Sequence, residues 1–276
     1  MARGKIRPGR TSKKKPPPHS YNKRSYRGLI QPGLVTTRVQ LMETDLLISS
    51  THQVEDEALR LVTTIRRELE SYINRHPDFL DALTPLADDP DAPPSVQAML
   101  AAARQAGVGP MAAVAGTVAE YVGEQLIKNG QEEIIVENGG DIYVHRKRAC
   151  TIGVFAGQSP LSGRIGIRLG EDQMPCGVCT SSASIGHSLS LGASDAAVVV
   201  APGTPYADAL ATRLGNEVKD GGKGINRGLA VAQEMEGVTG VVLIAGDRMG
   251  AWGTSNWFAW NWVNVRLPAA VVLYSH

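Results

Sequence analysis

The spacing of hydrophobic positions changes several times along this chain, and each change marks an element. GLVTTRVQLMETDLLISS, residues 33–50, alternates and is rich in β-branched residues, which predicts two strands. From Val54 to Asn74 the period lengthens. Ala58, Leu61, Val62, Ile65, Leu69, Tyr72 and Ile73 recur at spacings of three and four, laying one apolar stripe along a helix. A proline-rich interruption, HPDFLDALTPLADDPDAPP, separates it from an Ala-rich helical stretch that starts near Ser95, breaks at 107–110 and resumes to about Asn129, with Gly130 as its stop. EEIIVENGGDIYVHRKR then reads as a strand, a tight Gly-Gly turn and a second strand.

The second half repeats this order in outline. CTIGVFA, GRIGIRLG and DAAVVVAP read as strands, TPYADALATRLG (204–215) as a helix, the stretch from Arg227 to Glu236 as another helix, and GVVLIAG as a closing strand. The 204–215 helix has readable ends: Thr204 as N-cap, Pro205 at the first helical position, and Gly215 as the residue that stops it. Strands, helices, strands in each half predict an α+β fold with an internal duplication rather than a strict βαβ alternation. The expected organisation is a basic arm (1–28), one domain over 29–250 made of two pseudo-repeats (about 29–148 and 149–250), and a Trp-rich tail (251–276).

Composition changes this picture at the two ends. The 276 residues are 43% hydrophobic and 20% charged, a soluble globular composition, and no apolar run is long enough to span a bilayer. The formal charge of +1 hides an asymmetry: residues 1–28 hold 10 of the 28 basic residues and no acid. Rich in Pro, Lys and Arg, this arm cannot bury enough apolar surface to fold alone and is read as a solvated extension, so no nucleic-acid function is expected. It is not followed by a signal-peptide pattern, which points to a cytoplasmic protein without membrane partners. All four tryptophans lie in WGTSNWFAWNW, a cluster that either closes the domain's own core or packs on a partner, so homo-oligomerisation is kept open.

Candidate chemistry sits in three stretches. Asp208 and Thr212, at i and i+4, share one helix face among alanines, and a carboxylate with a hydroxyl is a hard-oxygen pair suited to Mg²⁺; the alternative is a dipole-supporting Asp and a Thr bonded back to its own helix. In ENGGDIYV, Gly139 and Gly140 permit positive φ and a close backbone approach to a ligand, with Asp141 at the turn's exit. In CTSSASIGHSLSLG, the hydroxyls of Thr180, Ser181, Ser182 and Ser184 and the imidazole of His187 lie in one glycine-containing loop that can cradle phosphate. It lacks the lysine and spacing of a P-loop, and no G-x-S-x-G elbow is present. Cys176 and Cys179 form a lone C-x-x-C, read as buried or loop thiols, with thiolate metal or redox chemistry as a lesser alternative.

Taken together, these stretches resemble the ApbE superfamily, whose founding members are Mg²⁺-dependent FAD:protein FMN transferases. ADALAT (207–212) resembles the family's metal-binding helix, with Asp208 and Thr212 at its ligand positions. ENGGDIYV resembles its Gly-Gly-Asp motif beside the flavin nucleotide. AVAGTVAEYV (113–122) is similar to its preceding helix, with Gly116 matching a family glycine and Glu120 standing where an acid is usual. The blocks GPMAAVAG, VENGGDI, GVCTSS…GHS and GDRMGAWG look, more closely, like a cytoplasmic branch of that superfamily. The resemblance implies a duplicated T-fold-like domain with antiparallel sheets and packed helices. It also implies FAD with Mg²⁺ on Asp208 and Thr212, nucleotide contacts from Glu120, Gly139, Gly140, Asp141, Thr180, Ser181 and Ser182, catalytic roles for Asp208 and His187, and a protein acceptor. A cleft that binds flavin or a similar ligand without cleaving it is the alternative. Two positions depart from the pattern: the usual lysine before the family glycine is Ala115, and the His-x-x-Asp-Pro-x-x-Gly segment is reduced to HSLSLG.

Overall fold

The computed structural model describes residues 33–182, 193–219 and 223–253, and the backbone of 256–259 and 270–274. The basic arm, His187 with most of its loop, and the side chains of the tail beyond Gly253 lie outside the described residues.

The alternating N-terminal stretch forms a hairpin of β1 (Val35–Leu41) and β2 (Thr44–Ser50). The apolar stripe forms α1 (Glu55–Arg75), which buries Ala58, Val62, Ile65, Leu69 and Tyr72. The proline-rich interruption contains one short turn of helix, α2 (Asp78–Asp81), which places Phe79 in the core. The Ala-rich stretch splits into α3 (Pro94–Ala106) and α4 (Val114–Lys128) around Gly107, whose left-handed φ of 74° ends the first, and a 3₁₀ turn at Pro110–Ala113. Then come β3 (Ile134–Asn138) and β4 (Asp141–His145), joined by the two-residue loop Gly139-Gly140 in which Gly139 has a φ of 73°.

After β4 the chain leaves the sheet for a second hairpin, β5 (Cys150–Phe155) and β6 (Ile165–Leu169), and returns as β7 (Cys176–Ser181) and β8 (Ala196–Ala201). α5 (Thr204–Glu217), α6 (Ile225–Gln233), β9 (Gly240–Ala245) and β10 (Arg248–Gly253) follow, and β11 (Asn256–Ala259) and β12 (Ala270–Tyr274) end the chain. One sheet runs β1-β2-β3-β4-β7-β8-β9-β10, antiparallel throughout. The other runs β11-β6-β5-β12, where β12 lies parallel to β5.

The large sheet thus consists of two units of the same order, two strands, helices, two strands, that abut where β4 pairs with β7. This is the duplicated α+β architecture that the sequence predicts. The strands that open the second unit differ from those expected: CTIGVFA and GRIGIRLG form the second sheet, and the positions equivalent to β1 and β2 belong to β7 and β8. The second sheet explains why AAVVVA and GVVLIA show no alternation. Val199 and Leu243 face the helices, whereas Val198 and Val242 face the other sheet, so both sides of these strands are buried.

Two local expectations are corrected around α5. Thr204 is its first residue rather than its N-cap, which is Gly203. Gly215 lies inside the helix, which continues to Glu217. A Cβ there would approach Ser194 Oγ to 3.2 Å and Ala197 Cβ to 3.6 Å, so the glycine serves tight helix-to-sheet packing instead of a left-handed stop.

Candidate functional site

α5 is buried on nearly every side, from Thr204 to Leu214, with only Arg213 less covered. It lies over β7 and β8 and against α3 and α4. Such seating needs small residues on its neighbours. A Cβ at Gly116 of α4 would stand 2.5 Å from the Thr204 carbonyl oxygen and 2.9 Å from Asp208 Cβ, and one at Gly177 of β7 would stand 2.5 Å from Thr204 Cα. The two glycines therefore let α4 and β7 grip the start of α5.

This grip fixes Asp208. Its Oδ2 accepts a hydrogen bond of 2.8 Å from the Gly116 N–H, and its side chain is almost wholly buried. Across the sheet, β4 begins at Asp141, which is paired in register with Cys179 of β7. Asp141 is buried as well, and its Oδ1 has no hydrogen-bond partner among the described residues; the Thr180 hydroxyl is likewise unpartnered. The neighbouring Asn138 amide donates to the Ala115 carbonyl (3.1 Å), tying the Gly-Gly turn to the start of α4.

Asp141, Asp208, Thr180, Ser181, Ser182, Thr212 and Gly139 all line one cavity of about 510 Å³. Three stretches that are remote in sequence, the Gly-Gly turn, the hydroxyl-bearing end of β7 and the face of α5, therefore converge on a common space. The rest of the wall is largely apolar, from Leu69 and Ile73 of α1 and from Met111, Ala115 and Val118. A cavity of this size with a few convergent polar groups suits a small-molecule ligand. Gly140 and Glu120 are not among the lining residues. Glu120 accepts a 2.6 Å hydrogen bond from the Thr204 N–H, so an acid on α4 satisfies an orphan donor of α5 that no side chain on α5 itself caps.

The electrostatics of the acid pair are unfavourable, since both carboxyls are buried and each would carry the same charge. Burial pushes the Asp208 carboxyl well above the usual carboxylate range, and the charge of Asp141 adds to the effect; the N–H groups of Gly116 and Ala115 oppose it. Burial likewise pushes Asp141 up to about 7, partly offset by the Cys179 thiol and the Thr180 N–H. The stability consequence has a definite sign. A carboxyl whose folded pKa exceeds its unfolded value stabilises the fold fully below the unfolded value, roughly 3.9, and that contribution is lost as the pH rises through the folded value. The pair is therefore expected to cost the metal-free protein stability from about pH 4 to beyond 7, and Asp141→Asn should flatten part of that decline in a series of thermal melts. A variant whose melting temperature fell with pH as steeply as the parent's would contradict this account of the pair.

The donor set is hard. Among the described residues, no group of three or more His, Cys, Asp or Glu side chains is placed to hold a metal; what lies beside the acid pair in the cavity is hydroxyl and amide oxygen. That chemistry fits Mg²⁺ and not zinc. The thiols offer no alternative centre. Cys176 and Cys179 lie three apart on β7, so their side chains leave opposite faces of the sheet: Cys179 enters the helix-side core and Cys176 the core between the sheets. All three cysteines are free and buried. Burial pushes Cys150 and Cys176 up to about 12 and raises Cys179 as well, so the thiol form prevails at neutral pH. Of the two expectations for this C-x-x-C, buried or loop thiols, the structure shows the first: both cysteines are buried in a strand, β7, which also takes in Thr180 and Ser181, expected in a loop.

Known proteins resemble this chain over most of its length. A UPF0280 protein of Methanococcus aeolicus is 39% identical over 228 residues, 80% of this chain and 90% of that protein. A UPF0280 protein of Methanocella arvoryzae is 38% identical over 218 residues, 79% of this chain and 88% of the relative. Among solved structures, the apo form of the flavinyl transferase ApbE from Pseudomonas stutzeri superposes with a TM-score of 0.53, covering 82% of this chain and 95% of that one at 17% identity, a likeness of fold. Among the described residues no helix is long and apolar enough to cross a membrane. The family model described as AbpE bacteria matches residues 27–244, a span that holds the acid pair and the cavity around it, and the chain belongs to that family.

Proposed function

We propose that the cavity binds a flavin nucleotide, FAD, with Mg²⁺ held by Asp208, Thr212 and Asp141, and that it supports cleavage of the FAD pyrophosphate by transfer of FMN to a protein hydroxyl or to water. The observation that carries this reading is the meeting of two buried carboxyls and an unpartnered hydroxyl oxygen in one cavity whose wall is largely apolar. Two buried acids whose like charges repel are costly unless a cation joins them. The shared fold with a flavinyl transferase supports the choice of flavin.

A bound Mg²⁺ would supply charge neutralisation for the pyrophosphate oxygens. The protein's own groups do the rest. Asp208 is oriented by the Gly116 N–H, and Gly139, lacking a side chain, leaves the turn open to a close approach by phosphate. The hydroxyls of Thr180, Ser181 and Ser182 line the same end and can donate to phosphate oxygens. The apolar wall excludes water and gives the rings a surface to lie on. In the transfer, the acceptor oxygen bonds to the FMN phosphorus, the bond to AMP breaks, and the acceptor's proton passes to a base; His187 is the candidate for that base. Glu120 acts at one remove, by capping α5.

A second reading, retention of flavin without cleavage, is favoured by Ala115 in place of the usual lysine and by the reduced HSLSLG segment. Incubating the pure protein with FAD, with and without Mg²⁺, and identifying ligand and products by mass spectrometry separates the two. Release of AMP only with Mg²⁺ supports cleavage, and bound intact FAD supports retention. A protein that takes up no flavin under either condition sinks both. Because Mg²⁺ must displace the protons of the acid pair, its affinity is expected to tighten as the pH rises from about 6 to 8; a flat profile would place the cation elsewhere.

A further inference from the structure

The end of the cavity away from the acid pair is built differently. Arg66 of α1 lines it and is held by three acceptors: Thr44 Oγ1 at 3.1 Å, Glu43 Oε2 at 2.8 Å and Glu70 Oε1 at 3.0 Å. Its side chain is 18% exposed, whereas those of Glu43 and Glu70 are 69% and 59% exposed. Thr44 lies in β2 and Asp141 in β4, with β3 between them, so the two ends stand two strand spacings apart, about 10 Å across the sheet.

An arginine in a nucleotide cavity invites the reading of a phosphate clamp, and two observations speak against it. Three of its five N–H donors are already committed to the protein. A phosphate placed there would also meet the carboxylates of Glu43 and Glu70, both bonded to the same guanidinium nitrogen. What a planar guanidinium so held has left to offer is its face, which stacks on aromatic rings. The described residues lining the cavity include no aromatic side chain and no second Lys or Arg, so a flat ring entering it would find neither a π-stacking partner nor another cation.

We propose that Arg66 is a specificity-determining stacking platform that recognises an uncharged aromatic heterocycle, while the phosphate-bearing part of the same ligand reaches the acid pair. The inference rests on the reading of the cavity as a flavin-nucleotide site, and it assigns which end of the cavity receives a ring. Rigid placement by Glu43, Glu70 and Thr44 gives the platform its value, because little side-chain entropy remains to be lost when the ring arrives.

The test uses the full chain with Mg²⁺ and two probes, FAD and inorganic pyrophosphate, the second having no ring. Arg66→Lys keeps the charge and loses the plane. It is expected to weaken FAD binding by ~2–30-fold, the span of exposed to desolvated cation–ring contacts, and to leave pyrophosphate affinity unchanged. Equal loss for both probes in a variant that melts like the parent would make Arg66 a phosphate clamp and overturn the proposal, as would an unaltered FAD affinity. Should that variant not fold, Arg66→Gln, which keeps a planar group able to donate to Glu43 or Thr44 but loses the charge, is read the same way: a fall in FAD affinity with pyrophosphate affinity held supports the platform, and a loss at least as large for pyrophosphate overturns it. Adenosine diphosphate separates this inference from the reading beneath it. A protein that ignores FAD but binds the diphosphate, with the same Arg66→Lys loss, fails as a flavin site and keeps its platform. One that binds no ring-bearing phosphate fails both.

Discussion

Asp208→Asn is expected to abolish the response to Mg²⁺ while making the metal-free protein more stable. The amide retains an oxygen to accept from the Gly116 N–H, which holds Asp208 Oδ2 at 2.8 Å, so that tie between α4 and α5 is kept. What disappears is one of two buried charges that oppose each other. Removing a group that merely supports a metal ligand costs roughly 10–100-fold in affinity; loss of a ligand carboxylate should cost at least that, and Mg²⁺-dependent release of AMP should fall with it. The stability gain has a pH signature. It is largest at alkaline pH, where the parent's carboxyl is ionised, and vanishes in acid, where that carboxyl carries a proton. Calorimetric melts at several pH values, with and without Mg²⁺, check both halves. A variant that still gains melting temperature from Mg²⁺ as the parent does would remove Asp208 from the metal site.

Gly116→Ala should be damaging in a place where local rules predict a benefit. Inside a helix, alanine is better than glycine by roughly 0.8–1 kcal/mol. Here the added Cβ would lie 2.5 Å from the Thr204 carbonyl oxygen and 2.9 Å from Asp208 Cβ, and the first of these is backbone that cannot rotate away. Overpacking of this kind costs about 1–3 kcal/mol, and the displacement of α4 from α5 would also loosen the hydrogen bond that orients Asp208. A fall in melting temperature of several degrees, together with weakened Mg²⁺ binding, is the expected result. A variant as stable as the parent would show that α4 and α5 are free to part.

The two substitutions also mark where local pattern stops being informative. α1 was legible because its apolar stripe is a property of residues three and four apart, and β1 and β2 because alternation is a property of neighbours. The Asp208–Thr212 pair and the Gly-Gly-Asp turn were visible for the same reason, as was their joint resemblance to a family. β7 was not, since CGVCTS carries little β-branched character and its strand state comes from being paired between β4 and β8. The role of Gly215 was misread because a glycine that ends a helix and one that lets a helix touch a sheet look alike in one dimension. Glu120 showed as an acid in a familiar position, but that it caps a helix far along the chain follows only from the crossing of α4 and α5. Arg66 gave no signal, being one polar residue at the border of the apolar stripe of an amphipathic helix.

Local pattern was enough for the α+β class and for most elements in chain order, β7 excepted, and it marked hard-oxygen residue types on which the Mg²⁺ proposal draws. Hydrophobic periodicity and side-chain chemistry are carried by residues close along the chain, and no fold is needed to read them. Adjacency came from the fold alone: that Asp141 shares a cavity with Asp208, that the thiols of one motif point into different cores, and that an arginine from the first helix lines the same cavity. Those facts depend on how sheets pair and helices cross, which is settled by the packing of the whole domain.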